Sequence, residues 1–398
     1  MLTPQDAWDR IAPHATPLPI ERCERDDAHG LVLASSPLAT ADQPPADVSA
    51  MDGVIVAGPV SAGATVPVVG EIQAGHPSDT RLEPGSAARI MTGAVVPEGG
   101  DRVVPVEQIT VDAARRHARI EIEPVAGAHI RRQGEVVAMG TPLLEPGRRL
   151  GAVALSLLAG HGHGHVDVVR PPTIAVLTTG DEIVPPDATP EAGQLRDSNT
   201  TFLLAALAAR GLTASSLGIA PDRLDMLADR IGHGLEHDVL LLCGGVSKGE
   251  HDHVEAVLDE LGCEPLFDHV GMQPGKPLVV ARHANGWVVG LPGNPASVMV
   301  GFSLFVLPLL ARLMGDDEAW WWRDAVAARL AGPSPPGKPR DLFLPAALAR
   351  VEGELEATPL KPRGSHDVAA WARADALLHV PRGAAPRAIG TACEVLPL

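Results

Sequence analysis

The chain has 398 residues, which suggests roughly two to four domains rather than one. Its 32 basic residues against 49 acidic ones give a formal charge of −17, which argues against nucleic acid or an anionic membrane as partner. With 41 Gly and 38 Pro in a chain that is 45% apolar, many short strands and turns are favoured over long helical bundles. Any polyanionic small ligand must be held by local groups, against the global field.

In chain order, the start M-L-T-P-Q-D-A-W lacks the basic and apolar regions of a signal peptide. Thr3 as N-cap and Pro4 as first helical residue predict a folded helix there. Proline pairs at 44–45 and 171–172 and the run 333–339 are natural seams. Residues 46–132 alternate apolar segments (66–69, 87–91, 102–106, 118–122) with turns, as in a small all-β module. Extended segments within 129–170, with a helix near 151–159, are expected to pack with residues 1–45, because neither piece closes a core alone.

From 171 to 315 strands and helices alternate. Strands are predicted at 173–178, 213–218, 239–242, 277–281 and 287–290, with helices at 198–210, 221–233, 252–261 and from Asn294. This βαβ pattern predicts a mainly parallel sheet. The most apolar stretch, 298–314, is interrupted by Gly301, Ser303, Pro308 and Arg312 and reads as a buried core helix rather than a membrane span. The last 65 or so residues return to short strands. The division is therefore 1–45 with 133–170, an inserted β module at 46–132, an α/β domain at 171–320 and a C-terminal β module at 321–398. Cys23, Cys243, Cys263 and Cys393 lie far apart without a C-x-x-C pair, so we expect reduced thiols in a cytoplasmic protein.

The informative motifs lie in the α/β domain, where loops T-T-G-D-E, D-S-N-T, C-G-G-V-S-K-G-E-H-D and L-P-G-N-P-A-S are expected to lead into helices. Their Gly, Ser and Asn residues let backbone amides approach a phosphate or oxyanion at the carboxyl ends of the strands. Asp181, Glu182, Asp197, Asp222, Glu250 and Asp252 fall at or near these turns. Each alone is an ordinary loop acid or helix cap; together they form a candidate divalent-cation and acid/base cluster. His233-x-x-Glu236-His237 matches a zinc-protease pattern, but Gly232 and Gly234 weaken the helix that chemistry needs. His161, His163 and His165 are read as a glycine-rich surface turn.

These loops, with P-P-A-D-V-S-A-M-D-G (44–53), I-M-T-G-A (90–94), I-R-R-x-G-E (130–135), G-Q-L-R-D-S-N (193–199), P-G-K-P (274–277) and G-S-H (364–366), resemble the molybdopterin molybdenumtransferase (MoeA) family and the gephyrin E domain. The resemblance runs in the family's order over almost the whole chain. It implies a multidomain fold, with a molybdopterin-binding-like α/β domain, small β modules and an elongated N-terminal domain. It also implies a Mg²⁺-dependent hydrolysis of adenylated molybdopterin, with molybdate as co-substrate and molybdenum inserted at the dithiolene. Family members are elongated homodimers whose site lies between the α/β domain of one subunit and the β module of the other. The upstream adenylyltransferase is a further expected partner.

Carried onto this sequence, the resemblance implies Asp52, Thr92, Glu182, Asp222 and Asp252 as catalytic residues, with Glu182, Asp222 and Asp252 as metal ligands. Substrate would be bound by Arg131, Gly180, Asp181, Asp197, Asn199, Gly244, Gly245, Ser247 and Asn294, and by Pro274, Gly275, Lys276, Pro277, Ser297 and Ser365. Departures from the family pattern are Val54, Val136, His269, Gln273 and Pro345, three of them replacing cations near the molybdate site. They keep a second reading open, a non-catalytic molybdopterin or molybdate binder or scaffold. A third, the adenylyltransferase itself, leaves the first 170 residues unexplained.

Overall fold

The protein is seen in a computed structural model that describes residues 1–76, 78–246, 253–316 and 318–398. Its first helix, Pro4–Ile11, opens on a reciprocal cap: the Thr3 hydroxyl accepts from the Asp6 amide, and the Asp6 carboxylate accepts from the Thr3 amide at 2.8 Å. Ala7, Trp8 and Ile11 are buried against the α/β core rather than the extended segments that follow. Those segments form a three-stranded antiparallel sheet, in which His165–Val169 lies between Ile20–Glu24 and Val32–Leu33. The helix Ala152–Gly160 covers it through Ala154 and Leu158.

The inserted module is one six-stranded sheet in the order Arg102–Pro105, Gly53–Val56, Ala87–Ile90, Thr65–Ile72, His117–Ile120, Ile109–Val111. Sequence reasoning missed its second strand. All four residues of Gly53–Val56 are buried, so the segment lacks the polar alternation of a half-exposed strand.

The central sheet runs Ala214–Ala220, Ile174–Thr179, Val239–Cys243, Gly286–Leu291, Pro277–His283, Glu264–His269. The first four strands are parallel, and continuous apolar runs such as Val-Leu-Leu-Leu-Cys bury both faces. A two-residue turn, Ala284–Asn285, reverses the chain and makes the far edge antiparallel. Asn199–Ala208 and the long helix cover one face, Leu224–Gly234 and Val254–Glu260 the other. The long helix, Pro295–Leu313, is long and apolar enough to cross a membrane, but 78% of its apolar window is buried inside the protein. A π segment, Phe302–Val306, precedes Pro308, whose missing N–H disrupts the regular helical ladder.

The C-terminal sheet is mixed, in the order Met272–Gln273, Asp341–Val351, Glu354–Pro359, Val326–Leu330, Ala392–Pro397, Ala376–Val380. Its first strand belongs to the α/β segment and pairs in parallel with Asp341 and Leu342. Phe343 stacks on His379 at 4.9 Å between ring centres, Trp321 and Trp322 pack against both, and His379 bonds the buried Asp341 at 2.8 Å. The two modules are thus joined by both backbone and core.

Two expectations need correction. The T-T-G-D-E loop does not enter a helix directly; Ile183–Val184 first pairs with Leu195–Arg196. His161 is buried, not part of a surface turn. The expected weakening at Gly232 and Gly234 is seen: His233 lies on a helix that ends at Gly234, so Glu236 and His237 do not share its face.

Candidate active site

Two cavities lie at the carboxyl ends of the parallel strands. The first, about 520 Å³, is lined by Thr178, Thr179, Gly180, Glu182, Asp197, Asn199, Asp222, Gly244, Gly245 and Asn294, among others. Gly244 has φ +95°, and a Cβ there would stand 2.6 Å from the Thr179 carbonyl oxygen. Gly180 has φ +136°, and a Cβ there would meet the Glu182 carboxylate at 2.6 Å. Only glycine allows the backbone to line the cavity so closely.

Asp197 is already engaged: it accepts from the Thr200 amide at 3.0 Å and hydroxyl at 2.7 Å, fixing the start of the Asn199–Ala208 helix. The Asn199 side-chain amide donates to the Gly293 carbonyl at 2.8 Å, tying two loops together. Its Oδ1, and Oγ1 of Thr179, are buried without a partner in a cavity both residues line. Unmet polar atoms of this kind are costly unless a ligand completes them.

Asp222 is held above the usual carboxylate range, first by burial and then by repulsion from Asp181 and Glu182. Asp181 accepts from the Asp222 amide at 3.1 Å but does not itself line the cavity. Carboxylate repulsion of this kind is what a bound cation would relieve, and Glu182 and Asp222 both line the cavity. Among the described residues no group of three acidic, histidine or cysteine side chains is arranged to hold a metal. Ser247 and the third expected ligand, Asp252, lie outside the described residues. Cys243 also lines the cavity, but burial pushes its thiol far up, and all four cysteines are unpaired.

The second cavity, about 740 Å³, contains Pro274, Gly275, Lys276, Pro277, Ser297 and Ser365. Asn294 lines both cavities. The floor is pinned where the Ala296 amide donates to the Ser365 carbonyl at 3.0 Å, across the module boundary. Lys338, Arg340 and Lys361 line it too, and sequence reasoning named none of them. Gln273 lines the cavity; His269 does not, and its imidazole lies 3.0 Å from Asp268. Pro345, buried on the Asp341–Val351 strand, does not line it either.

Three expected residues lie apart from both cavities. Asp52 accepts from the amide and hydroxyl of Thr92, at 2.6 and 2.7 Å, and these bonds hold its carboxyl below the usual range. Arg131 lies on a two-residue strand paired with Val48–Ser49. None of the three lines either cavity within this chain.

Family models match in the same order as the sheets: the MoeA N-terminal region (domains I and II) over residues 2–162, a probable molybdopterin-binding domain over 175–312 and the MoeA C-terminal region (domain IV) over 327–398. A molybdopterin molybdenumtransferase 2 of Mycobacterium tuberculosis is 34% identical over 388 residues, covering 93% of each chain. The chain belongs to the molybdopterin molybdenumtransferase family. Another member, from a Nostoc species, is 37% identical over 307 residues, 74% of this chain and 69% of its own. The solved molybdopterin biosynthesis MoeA protein of Pyrococcus horikoshii superposes with a TM-score of 0.82 at 29% identity, covering 100% and 99% of the two chains. The family's fold, a molybdopterin-binding-like α/β domain flanked by β-rich modules, is the one seen here.

Proposed function

We propose that the chain is a molybdenum insertase, completing molybdenum cofactor from adenylated molybdopterin and molybdate. The observation that carries this is a pair of cavities of opposite character that share Asn294. One is lined by Glu182, Asp197 and Asp222 against a single arginine, Arg196; the other is lined by Lys276, Lys338, Arg340 and Lys361 with no carboxylate. The acidic cavity suits a pyrophosphate that arrives with its own cation, and the basic one suits a tetrahedral oxyanion.

Glu182 and Asp222 would hold Mg²⁺, which when bound neutralises charge on the phosphates as the adenylate bond is cleaved. Gly180 and Gly244 let the backbone approach the ligand, and Thr179 and Asn199 offer polar atoms to orient it. Asp222, partly buried and crowded by Asp181 and Glu182, is the carboxylate whose charge such a cation would relieve most. Ser297 and Ser365 would donate to the oxyanion.

The absence of Asp52, Thr92 and Arg131 from both cavities supports a homodimer in which a second copy supplies them. Unpaired cysteines support a reducing, cytoplasmic setting. Incubating the protein with adenylated molybdopterin, Mg²⁺ and molybdate should release AMP and yield cofactor that activates a molybdenum apoenzyme. Ligand binding with neither product would replace this reading by the non-catalytic binder, which the Val136 and Gln273 departures favour.

A further inference from the structure

Lysine is rare in this chain: Lys248, Lys276, Lys338 and Lys361 are the only four, and all its other basic residues are arginine. Three of the four line one cavity, and Lys248 lies outside the described residues. They come from loops distant in sequence, Lys276 from the α/β segment and Lys338 and Lys361 from either side of the long C-terminal strand Asp341–Val351. Four basic side chains line this cavity and three are lysine, although only one basic residue in eight is lysine overall.

The two cations differ in how they bind. Arginine's planar fork makes two-pronged contact with a carboxylate or a phosphate-like oxyanion from one fixed direction, whereas lysine's compact ammonium on a flexible stem can turn three donors toward any oxygen of a small tetrahedral anion. Arg340 is partly occupied, since its Nη1 donates to the Met272 carbonyl at 3.4 Å and so braces the Gln273–Pro277 loop. No lysine of the three has an ion-pair partner among the described residues.

We infer that Lys338 and Lys361, contributed by the C-terminal module, are the specificity-determining cations of the oxyanion pocket and supply with Lys276 the charge that Gln273 does not. This inference rests on the proposed function for the identity of the anion, molybdate, and not for the anion site itself. Gln273 then marks a relocated, not a weakened, positive charge. The sheet pairing of Met272–Gln273 with Asp341–Leu342 sets the spacing between Lys276 and the lysines opposite.

The experiment is titration of the full-length protein with molybdate, tungstate, sulfate and AMP by calorimetry, at two salt concentrations, with melting curves to check the fold. Lys338→Met and Lys361→Met should each weaken molybdate about 3–10-fold, and the double variant about 30-fold or more, with a shallower salt dependence. Arginine at both positions should restore only part of the affinity. Arg350→Gln, an exposed cation on the same strand but outside the cavity, should change nothing. A double variant that binds molybdate like the wild type overturns the inference, as does a wild type that binds no tetrahedral oxyanion or an Arg350→Gln loss equal to the lysine losses. Tight AMP binding that depends on both lysines, with no molybdate binding, would assign the pocket to a nucleotide phosphate and also overturn it. Oxyanion binding that follows the lysines while AMP release and cofactor formation fail would sink the proposed function and leave this inference standing.

Discussion

The two cavities are built by different means, though both lie at the ends of the same strands. The acidic one is assembled almost wholly from loops of a single sheet, with Gly180, Asn199, Asp222 and Gly244 each following or opening a regular element. The basic one exists only because Met272–Gln273 leaves the α/β segment to pair with Asp341–Leu342, which sets P-G-K-P opposite loops more than 50 residues further on. A site of the first kind tolerates little change in its loops. One of the second kind can exchange the module that supplies a charge.

The largest effect should fall on the acidic side. Asp222→Ala removes a carboxylate without disturbing a core, so AMP release should fall about 10²–10³-fold while the melting temperature holds and molybdate affinity is retained. Parallel loss of molybdate binding would mean that the cavities do not act separately.

A foundation common to both should not discriminate between them. Asp238, below the sheet, accepts from Arg170 through both oxygens at 2.8 Å and from Thr173. Burial pushes its carboxyl up, but these donors outweigh it and hold it at about 2. The folded value lies below the ordinary one, so its stabilisation is present above about pH 4 and is lost as pH falls toward 2. Asp238→Asn should cost about 2–3 kcal/mol at pH 7, with the gap to wild type closing in acid, as followed by urea unfolding across that range.

A smaller perturbation can be aimed at one cavity alone. Gly244→Ala forces a Cβ against the Thr179 carbonyl at positive φ, so roughly 1–3 kcal/mol of stability and most adenylate affinity should be lost, while calorimetric molybdate affinity persists. The gentlest test is salt. Raising ionic strength from about 0.05 to 0.5 M shortens the screening length severalfold and should weaken molybdate a few-fold more than AMP. Equal slopes would remove the electrostatic distinction between the two cavities.

Much of the acidic cavity was legible because its chemistry is local. Glycines that must sit at the end of a buried strand, and acids that follow them, leave a short contiguous pattern. Even so, Asp197 is engaged mainly in fixing a helix start, and the orphaned Thr179 hydroxyl carried no sequence signal because threonine is an ordinary strand residue. His269 shows the opposite error. The resemblance placed it where the family carries a cation near the molybdate site, but it does not line the cavity and its imidazole lies against Asp268.

By itself, then, the sequence determined the parallel strand runs, the capped first helix, the order of modules and the acid-and-glycine character of one cavity. Each is set by interactions within a few residues: burial period, capping and backbone conformation. Only the tertiary structure decided that Lys276, Lys338 and Lys361 share a cavity, that the first helix seats on the α/β core and that Asp52 and Thr92 line neither cavity. Those outcomes depend on sheet pairings and side-chain packing between segments distant in the chain, which no local pattern encodes.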